Sequence, residues 1–590
     1  MFIAKANGGV LLVRGLIKLY RNLKPYTLLI LGAFVFAYLQ VSANLELPTL
    51  MANIVNNGIF TGDISYIWRE GIYMLLIAGG GIACAIAASF LASRVSMGLG
   101  RDIRSQIFSH VENFSLHEFN KFGASTLVTR TTNDVVQIQQ TTFLLTVMLA
   151  NAIFTGIEAS RLAYVSSPEL AKILYVALPL VVGFIALIVK PITSLFSLVQ
   201  KQIDKINRVV RENVLGVRVI RAFNKIEYEK KRFAQANAEV TNTYIKVNRI
   251  VAFLMPLMML TMNAVMVAIL WYGGKGIDTG NTNLGAMIAF MQYSMMILMS
   301  FVMLTMLFIM VPRAAAAGNR IAEVLETKIE IKDPEKPRQD FSKHGHVEFR
   351  HVTFRYSGAE RPVLKDITFE AQPGEVVAIL GSTGCGKSTL VQLIPRFYDV
   401  TEGAVLIDGV DVRELTQADL RKKIGYVPQK AILFTGTVAE NIRYGKEDAT
   451  DEEVRHAAEV AQAAEFIEDL PQGYDTVLSE GGLNLSGGQK QRLAIARALV
   501  RKPEIYVFDD CFSQLDFKTE AELRAALRKE TENSTVIIVG QRVASIMNAD
   551  RIVVLEEGRI AGIGTHKELM ETCEVYREIV YSQLSEEELS

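Results

Sequence analysis

Long apolar stretches fill the first half of the chain, whereas the second half consists of shorter runs separated by polar and turn residues. The six apolar stretches run approximately over Tyr26–Val55, Tyr73–Ser96, Thr141–Val165, Leu170–Leu195, Ile250–Gly273 and Leu284–Val311. A helix needs about 20 mostly apolar residues to cross a bilayer, because lipid offers no partners for backbone N–H and C=O groups. The pattern therefore predicts six membrane-spanning helices before residue 315 and none after it.

The connections between these stretches alternate between short and long. The short ones are Asn56–Ile72, Ser166–Glu169 and Gly274–Asn283, and their basic residues are Arg69 and Lys275. The N-terminus and the two long connections hold many more Lys and Arg residues, and basic residues are retained on the cytoplasmic side. We therefore predict a cytoplasmic N-terminus and cytoplasmic long connections. Because few Gly or Pro residues interrupt the long connections, we expect them to be helical.

The residues ahead of the first span predict an amphipathic helix on the inner membrane surface. Apolar and basic residues alternate there at roughly helical spacing, namely Leu12, Leu16, Tyr20 and Leu23 against Arg14, Lys18, Arg21 and Lys24.

After the last span, a charged linker that contains proline precedes short β-rich runs. The predicted organisation is an N-terminal cytoplasmic segment at 1–25, a transmembrane domain at 26–315, a linker at 316–345 and a soluble nucleotide-binding domain at 346–590.

Composition agrees with a membrane part joined to a soluble part. Half of the residues are hydrophobic, yet Lys+Arg and Asp+Glu each number 62. Zero net charge argues against a nucleic-acid partner, which requires a basic face. The cysteines lack metal-ligand spacing and are expected to be small buried residues: Cys84, Cys385, Cys511 and Cys573.

A strand in the second half leads directly into a glycine-rich loop. The loop fits the P-loop pattern G-x-x-x-x-G-K-[ST] and reads Gly381, Ser382, Thr383, Gly384, Cys385, Gly386, Lys387, Ser388 and Thr389. Glycines let the backbone N–H groups face phosphates, Lys387 can reach the terminal phosphates, and Ser388 can bind Mg²⁺. The loop therefore predicts a site for ATP and Mg²⁺.

A second buried strand, Ile505–Phe508, ends in the acidic pair Asp509 and Asp510. P-loop enzymes use an acidic residue at this position to hold the metal. We therefore assign Asp509, together with Ser388, to Mg²⁺.

The soluble half resembles the ATP-binding cassette (ABC) family. The resemblance rests first on Asn484 followed by the LSGGQ signature, which comprises Leu485, Ser486, Gly487, Gly488 and Gln489. Other elements of the family pattern occur in the expected order along the chain: Tyr356, then Gln429, then the signature, then Asp516. The resemblance implies that Tyr356 stacks on adenine, that Gln429 of the Q-loop acts at the metal and the catalytic site, and that Asp516 belongs to the D-loop.

The membrane half resembles the exporter branch of this family, in which short coupling helices in the long cytoplasmic loops contact the ATPase domains. The matching stretches are Phe119–Gly123 and Arg221–Asn224. The implied fold is an all-α six-helix transmembrane domain plus an α/β P-loop ATPase domain. In the family, each ATP lies between the P-loop of one chain and the signature of another, so one such chain is half of a transporter.

Two positions depart from the family pattern. Efficient members carry Glu after the metal-binding Asp to orient the attacking water, and this chain has Asp510. The switch histidine is replaced by Gln541, which can hydrogen-bond to a phosphate but cannot carry charge. Aspartate is shorter by one methylene, about 1.5 Å, and a displacement of about 1 Å can cost roughly a hundredfold in rate. We therefore predict a slow or inactive ATP site.

The signature is intact, and in the family it completes the ATP site of the partner chain. These observations predict a heterodimer with a second, different ABC half-transporter that carries Glu and His at the catalytic positions. The altered site then holds ATP for long periods while the partner's site turns over.

The spans contain candidates for substrate contact. Many of the 20 methionines lie in the last two spans, including Met255, Met258, Met259, Met262, Met295, Met296, Met299 and Met303. Flexible methionines suit varied apolar ligands, but they also serve simply as helix contacts. Ionisable residues in or near the spans are Glu46, Glu158, Arg161 and Lys172. Glu158 and Arg161 are spaced to pair, and Glu46 is either a cation contact or a residue at the wetted outer end of its span.

The favoured function is efflux of multiple drugs or other lipophilic compounds across a bacterial inner membrane. Two alternatives stay open. One is an exporter or flippase for a specific lipid or peptide, and the other is an ATP-gated channel or regulatory subunit.

Overall fold

The chain forms two compact units. The computed structural model describes residues 9–280, 282–338 and 344–583. The first unit consists of Met1–Glu112 with Ala124–Thr327, and the second consists of Asn113–Gly123 with Lys328–Ser590. The second unit thus includes a short segment that lies, in sequence, inside the helical half.

The described part of the first unit is almost entirely helical. Its first helices are α1 Gly9–Leu19, α2 Thr27–Asn53 and α3 Ile64–Glu112. The next helix in the chain, α4 Leu116–Phe122, belongs to the second unit. The remaining helices of the first unit are α5 Ala124–Thr129, α6 Val135–Leu144, α7 Ala150–Ser166, α8 Pro168–Leu215, α9 Val217–Ala222, α10 Ile226–Asp278 and α11 Leu284–Glu326. A 3₁₀ turn follows α1 at Tyr20–Tyr26, and π-helical turns occupy Ile54–Ile59, Arg130–Asp134 and Leu145–Leu149.

Within the described residues, five helical segments are long and apolar enough to cross a membrane: Arg14–Ile59, Ile64–Glu112, Ala124–Ser166, Ile226–Asp278 and Leu284–Leu304. The fourth predicted span, Leu170–Leu195, is helical within α8, but its inner half includes side chains outside the described ones. The helices α3, α8 and α10 contain 49, 48 and 53 residues. At about 1.5 Å per residue they exceed 70 Å, more than twice the hydrocarbon thickness. The long connections are therefore helical continuations of the spans, as predicted.

The N-terminal helix packs part of its apolar face on protein, and its position at the membrane surface stays a prediction. Leu16 and Leu19 of α1 are 3% and 4% exposed. A Cβ atom at Gly15 would lie 2.7 Å from Gly318 O, so the absence of a side chain allows the helices to approach closely. The Gly15 N–H donates to Asn319 Oδ1 at 2.9 Å. Helix α1 is therefore fixed to the C-terminal part of α11.

The second unit contains an antiparallel sheet and a mostly parallel sheet. Its strands are β1 Val347–Phe354, β2 Leu364–Ala371, β3 Val376–Gly381, β4 Glu402–Ile407, β5 Val410–Asp411, β6 Ile424–Val427, β7 Gly436–Thr437, β8 Val477–Leu478, β9 Ile505–Asp509, β10 Thr535–Val539, β11 Arg551–Glu556 and β12 Arg559–Gly564. Its helices after α4 are α12 Lys387–Gln392, α13 Gln417–Lys422, α14 Val438–Arg443, α15 Asp451–Val460, α16 Ala464–Glu468, α17 Gly487–Leu499, α18 Phe517–Glu530, α19 His566–Thr572 and α20 Glu574–Gln583.

The six-stranded sheet has the order β12-β11-β3-β10-β9-β6, and β12 is its antiparallel edge. The four-stranded sheet has the order β2-β1-β4-β5. Strand β10 pairs in parallel with both β3 and β9, with Val539 opposite Ile379 and Asp509. Because parallel strands end at the same edge of a sheet, the loops after β3, β9 and β10 meet there.

Candidate functional site

The P-loop connects β3 to α12. A Cβ atom at Gly381 would lie 2.2 Å from Leu555 O, so this position requires glycine. The side chain of Lys387 is buried, and its ammonium donates to Gly381 O at 2.7 Å and to Ser382 O at 2.9 Å. The loop therefore holds its lysine in a fixed position, where the sequence predicts contact with the terminal phosphates.

Two oxygen-bearing side chains predicted to bind metal meet beside this loop. Ser388 Oγ donates to Asp509 Oδ1 at 2.8 Å, and Tyr426 OH donates to Asp509 Oδ2 at 3.2 Å. Burial raises the pKa of the Asp509 carboxyl, and these two hydrogen bonds oppose the rise. A cation beside the carboxylate would favour its ionised form. Hard oxygen ligands of this kind suit Mg²⁺, which usually takes one or two protein ligands and substrate phosphates.

The three predicted catalytic residues form one cluster. Gln429 Nε2 donates to Asp510 Oδ2 at 2.9 Å, and Gln541 Nε2 donates to the same oxygen at 2.7 Å. A carboxylate only accepts hydrogen bonds, so both amides must present their NH₂ groups to it. The Oε1 atoms of both glutamines therefore remain for other partners, such as a metal or a protein donor.

The backbone also fixes Asp510. Its φ is 48°, a left-handed conformation that aspartate tolerates. Its N–H donates to Val539 O at 3.1 Å, and Ser513 Oγ donates to its carbonyl at 3.0 Å. The position of the carboxylate is thus determined by β10 and by the turn after β9, and its reach is set by the length of the side chain.

Tyr356 lies next to the end of the P-loop. Its hydroxyl and Thr389 Oγ1 are 3.0 Å apart, and its ring packs edge-on against Phe354 and Tyr398 with centroid distances of 4.9 and 5.4 Å. This arrangement fixes the aromatic ring beside the P-loop, and stacking of adenine on it stays a prediction from the family resemblance.

We expect replacement of Tyr356 by Ala to weaken ATP binding by roughly 5- to 150-fold, because stacking of a base on an aromatic ring contributes about 1–3 kcal/mol. Titration of the purified chain with a fluorescent ATP analogue measures this change. The matched control is Tyr356→Phe, which removes the hydroxyl and keeps the ring, and it should bind nearly normally. Equal affinity of the Ala variant and the unmodified chain would show that Tyr356 does not contact the base.

The signature forms the start of α17. Ser486 Oγ accepts from Gln489 N at 3.2 Å, and Gln489 Oε1 accepts from Ser486 N at 2.9 Å, which together form a capping box. Leu485 is buried below them, whereas Ser486 and Gly487 are exposed. Among the described residues no hydrogen bond joins the signature to the P-loop. Asp516 of the predicted D-loop caps α18, where its Oδ1 accepts from Thr519 N at 2.9 Å.

The first predicted coupling stretch, Phe119–Gly123, falls at the end of α4. Glu118 is buried and caps this helix, and its Oε1 also accepts from Glu330 N at 3.2 Å. Asn120 Nδ2 donates to Tyr398 OH at 3.4 Å, and Tyr398 in turn packs on Tyr356. All these residues belong to the second unit, so α4 connects to the aromatic cluster beside the P-loop. The second stretch, Arg221–Asn224, begins inside α9 and lies in the first unit.

Two residues in the second unit were not assigned roles from the sequence. Tyr426 bonds to Asp509, and Tyr398 lies between α4 and Tyr356. The signal for Tyr426 is its place at the end of β6, which pairs in parallel with β9. The sequence carries no comparable signal for Tyr398, because its role depends on a contact with a distant segment.

The residues predicted in the spans as candidates for substrate contact differ in their surroundings. Glu158 Oε2 and Arg161 Nε are 2.7 Å apart, so these residues form the expected pair. Glu46 is exposed and has no ion-pair partner within the described residues. Met258 is buried, whereas Met259 is exposed.

The methionine-lined cavity between α10 and α11 is small. It has a volume of about 90 Å³ and is lined by Met262, Met266, Met291 and Met295 among others. Ligand sites usually have volumes of about 300–1,000 Å³. Within one chain, therefore, the methionines whose side chains the structure describes do not form a complete pocket for a drug-sized ligand, and Met255 lies outside them.

Both halves of the chain match known protein families. Family models match the ABC transporter transmembrane region at residues 29–301 and the ABC transporter domain at residues 364–513. An uncharacterized ABC transporter ATP-binding protein of Mycobacterium tuberculosis is 42% identical over 569 residues, 96% of this chain and 97% of that protein. An ATP-dependent lipid A-core flippase of Syntrophus aciditrophicus is 33% identical over 518 residues, 88% of this chain and 85% of that protein.

A solved structure of a bacterial Atm1-family ABC exporter with ATP bound is also similar. It is 28% identical to this chain, with a TM-score of 0.80, and the match covers 95% of this chain and 100% of that one. A P-loop and a signature helix on one α/β domain, fused to long membrane helices, define an ATP-driven membrane transporter. The chain belongs to the ABC transporter family, as an exporter half-transporter with an ATPase domain coupled to transport. The predicted fold class and ATPase activity are confirmed, and the protein is a multi-pass membrane protein.

Proposed function

We propose that the chain is one subunit of a heterodimeric ABC exporter for drugs or other lipophilic compounds, and that it carries a weakly hydrolytic ATP site. The observation that carries this proposal is the cluster of Gln429, Asp510 and Gln541. One short carboxylate accepts hydrogen bonds from two amides, at 2.9 and 2.7 Å. The cluster therefore lacks both the longer carboxylate and the ionisable imidazole that promote attack by water.

The P-loop and its neighbours support retention of nucleotide at the same site. Lys387 and Ser388 would contact the phosphates and Mg²⁺, with Asp509 acting on the metal through water and Gln429 binding it through Oε1. Bound Mg²⁺ would neutralise charge on the phosphates. The residues for binding are thus present, and the altered positions are those that act on water.

The exposed signature supports a partner chain. Leu485, Ser486, Gly487, Gly488 and Gln489 would complete the partner's ATP site, which would carry Glu and His at the positions of Asp510 and Gln541. Closure of the two ATPase domains on ATP would turn the transport cavity outward, and hydrolysis at the partner-type site would reset it. We place the complex in a bacterial inner membrane, with the ATPase domain and the N-terminus in the cytoplasm.

The experiment is purification of the tagged chain from its native membrane. We expect a second homologous chain in equal amount, with Glu and His at the two catalytic positions, and ATPase stimulation by chemically diverse lipophilic compounds. A homodimer of this chain with ordinary ATP turnover would contradict the heterodimer and the degenerate site together.

A second candidate is a lipid flippase. It is favoured by relatives that are named ATP-dependent lipid A-core flippase and are 32% and 33% identical to this chain. Transport in vesicles separates the two functions. A flippase would move one class of lipid and would show little stimulation by a panel of unrelated drugs.

A further inference from the structure

A cavity of about 810 Å³ lies between α8 and α10, at the end of this helix pair that is opposite to α9. We call this cavity the outer cleft. It is lined by one stripe of α8, from Glu169 to Leu180, and by one stripe of α10, from Thr261 to Gly276, together with Thr279 and Thr282. Its volume falls within the usual range of ligand sites, about 300–1,000 Å³.

The residues of each stripe recur every three or four positions, so they share one face of their helix. Most of them are apolar, and the walls of the outer cleft are therefore apolar. Val176 and Leu180 line one wall, and Val265 lines the other. Ala264 and Ala268 on α10 are too small to fill the space between the helices. At the deep end, the hydroxyl of Thr261 donates to the carbonyl of Leu257 in its own helix at 2.9 Å, so it presents no free donor to the cavity.

The mouth of the outer cleft is charged. Lys172, Lys275 and Glu169 lie there, which leaves an excess of one positive charge. All three residues are exposed, and no ion pair joins any of them to another described residue. Lys275 Nζ lies 5.3 Å from the centroid of the Trp271 ring. Exposed aromatic and basic residues at helix ends are typical of the membrane–water interface, which fits a mouth at headgroup level.

The length of the outer cleft matches one leaflet of a bilayer. At about 1.5 Å per residue, the stripe on α8 extends about 12 Å from Lys172 to Leu180, and the stripe on α10 extends about 21 Å from Lys275 to Thr261. Half of the hydrocarbon core is about 15 Å thick. An apolar cavity of this length with a cationic mouth fits an acyl chain that carries an anionic headgroup.

We propose that the outer cleft binds an anionic phospholipid, with one acyl chain between α8 and α10 and the phosphate at Lys172 and Lys275. The lipid is a resident ligand of the membrane domain, and the proposal does not depend on which compound the exporter transports. Drugs need not enter this cavity.

The test uses the two tryptophans of the chain, Trp68 and Trp271. The full-length Trp68→Phe variant, in phosphatidylcholine nanodiscs with or without a partner chain whose own tryptophans are replaced by Phe, reports on the outer cleft through Trp271 alone. Phosphatidylglycerol with brominated acyl chains should quench Trp271 at about fivefold lower mole fraction than brominated phosphatidylcholine, as expected for one excess charge near the surface. Soluble glycerol phosphate should not displace the lipid, because it lacks the acyl chain.

Three variants in the Trp68→Phe background locate the site. The double variant Lys172→Gln, Lys275→Gln should lose the preference for the anionic lipid, and Ala268→Leu should reduce quenching by filling the cavity without a change of charge. Arg69→Gln is the matched control, since it removes a positive charge near the start of α3, on the same predicted side of the membrane. Equal quenching by both lipids, or an equal effect of Arg69→Gln and the lysine variants, overturns the proposal. Loss of quenching only when the partner chain is present would show that the partner covers the cavity, and this also overturns it.

Discussion

Replacing Asp510 by Glu and Gln541 by His together should raise ATP hydrolysis at this chain's own site in the assembled transporter about tenfold to a hundredfold. Glutamate moves the carboxylate outward by about 1.5 Å, and errors of about 1 Å in such positions cost roughly a hundredfold. The backbone of Asp510 is fixed by Val539 and Ser513, so the added length must appear at the carboxylate. Histidine restores an ionisable group in place of the amide, which now donates at 2.7 Å to Asp510 Oδ2.

Phosphate release per complex, measured with saturating ATP while the partner's site is inactivated by replacement of its catalytic glutamate by Gln, tests this prediction. The Asp510→Glu variant alone should give part of the gain, because Gln429 and Gln541 still bond to the carboxylate. Asp469→Glu adds the same methylene to an exposed acid outside the ATP site and serves as the control. If, with the partner's site silent in both samples, the double variant hydrolyses ATP no faster than the chain with Asp510 and Gln541, the two altered positions do not limit the rate.

Replacing Gly488 by Asp should abolish most hydrolysis by the complex, with a loss of about a hundredfold or more. Gly488 lies at the start of α17, where the resemblance places the phosphates of the partner's ATP. A carboxylate there would repel these phosphates, and loss of a single stabilising donor at an active site costs about 10²–10³ in rate. The new Cβ atom would also lie 3.2 Å from Gln514 O, a tight contact.

The informative comparison is with Asp510→Asn. If the sites are unequal, Asp510→Asn should change turnover by less than about twofold, whereas Gly488→Asp removes it. The matched control is Gly473→Asp, which adds the same charge where φ is 54° and where the new Cβ atom would lie 3.9 Å from its nearest neighbour. If Gly488→Asp and Asp510→Asn lower ATP turnover equally, the two ATP sites are catalytically equivalent. This result would refute the proposal that the partner's site carries most of the hydrolysis.

Much of the nucleotide site could be predicted from the sequence because its residues follow strands directly. The P-loop follows β3, and Asp509 and Asp510 stand where β9 ends. The convergence of Gln429 and Gln541 on one oxygen of Asp510 could not be derived from residue spacing alone. It depends on the order of β6, β9 and β10 in the sheet, which the linear sequence does not state.

The membrane spans were predictable because their length is set by the thickness of the bilayer. The packing of α1 was not, since an amphipathic pattern fits a lipid surface and a protein surface equally well. Gly15 and Gly318 allow the close contact with α11, and they are 303 positions apart in sequence by subtraction of their numbers. The aromatic contact of Tyr398 with α4 was missed for the same reason, because it joins segments that are distant in the chain.

The placement of α4 in the second unit has a mechanical consequence. In the chain, α4 follows α3, which is one uninterrupted helix of 49 residues and about 73 Å in length. When a rigid helix of this length tilts about its Glu112 end, the opposite end moves farthest. A tilt of about 5° there would displace the far end, near Ile64, by about 6 Å. A displacement of this size is comparable with one turn of a helix.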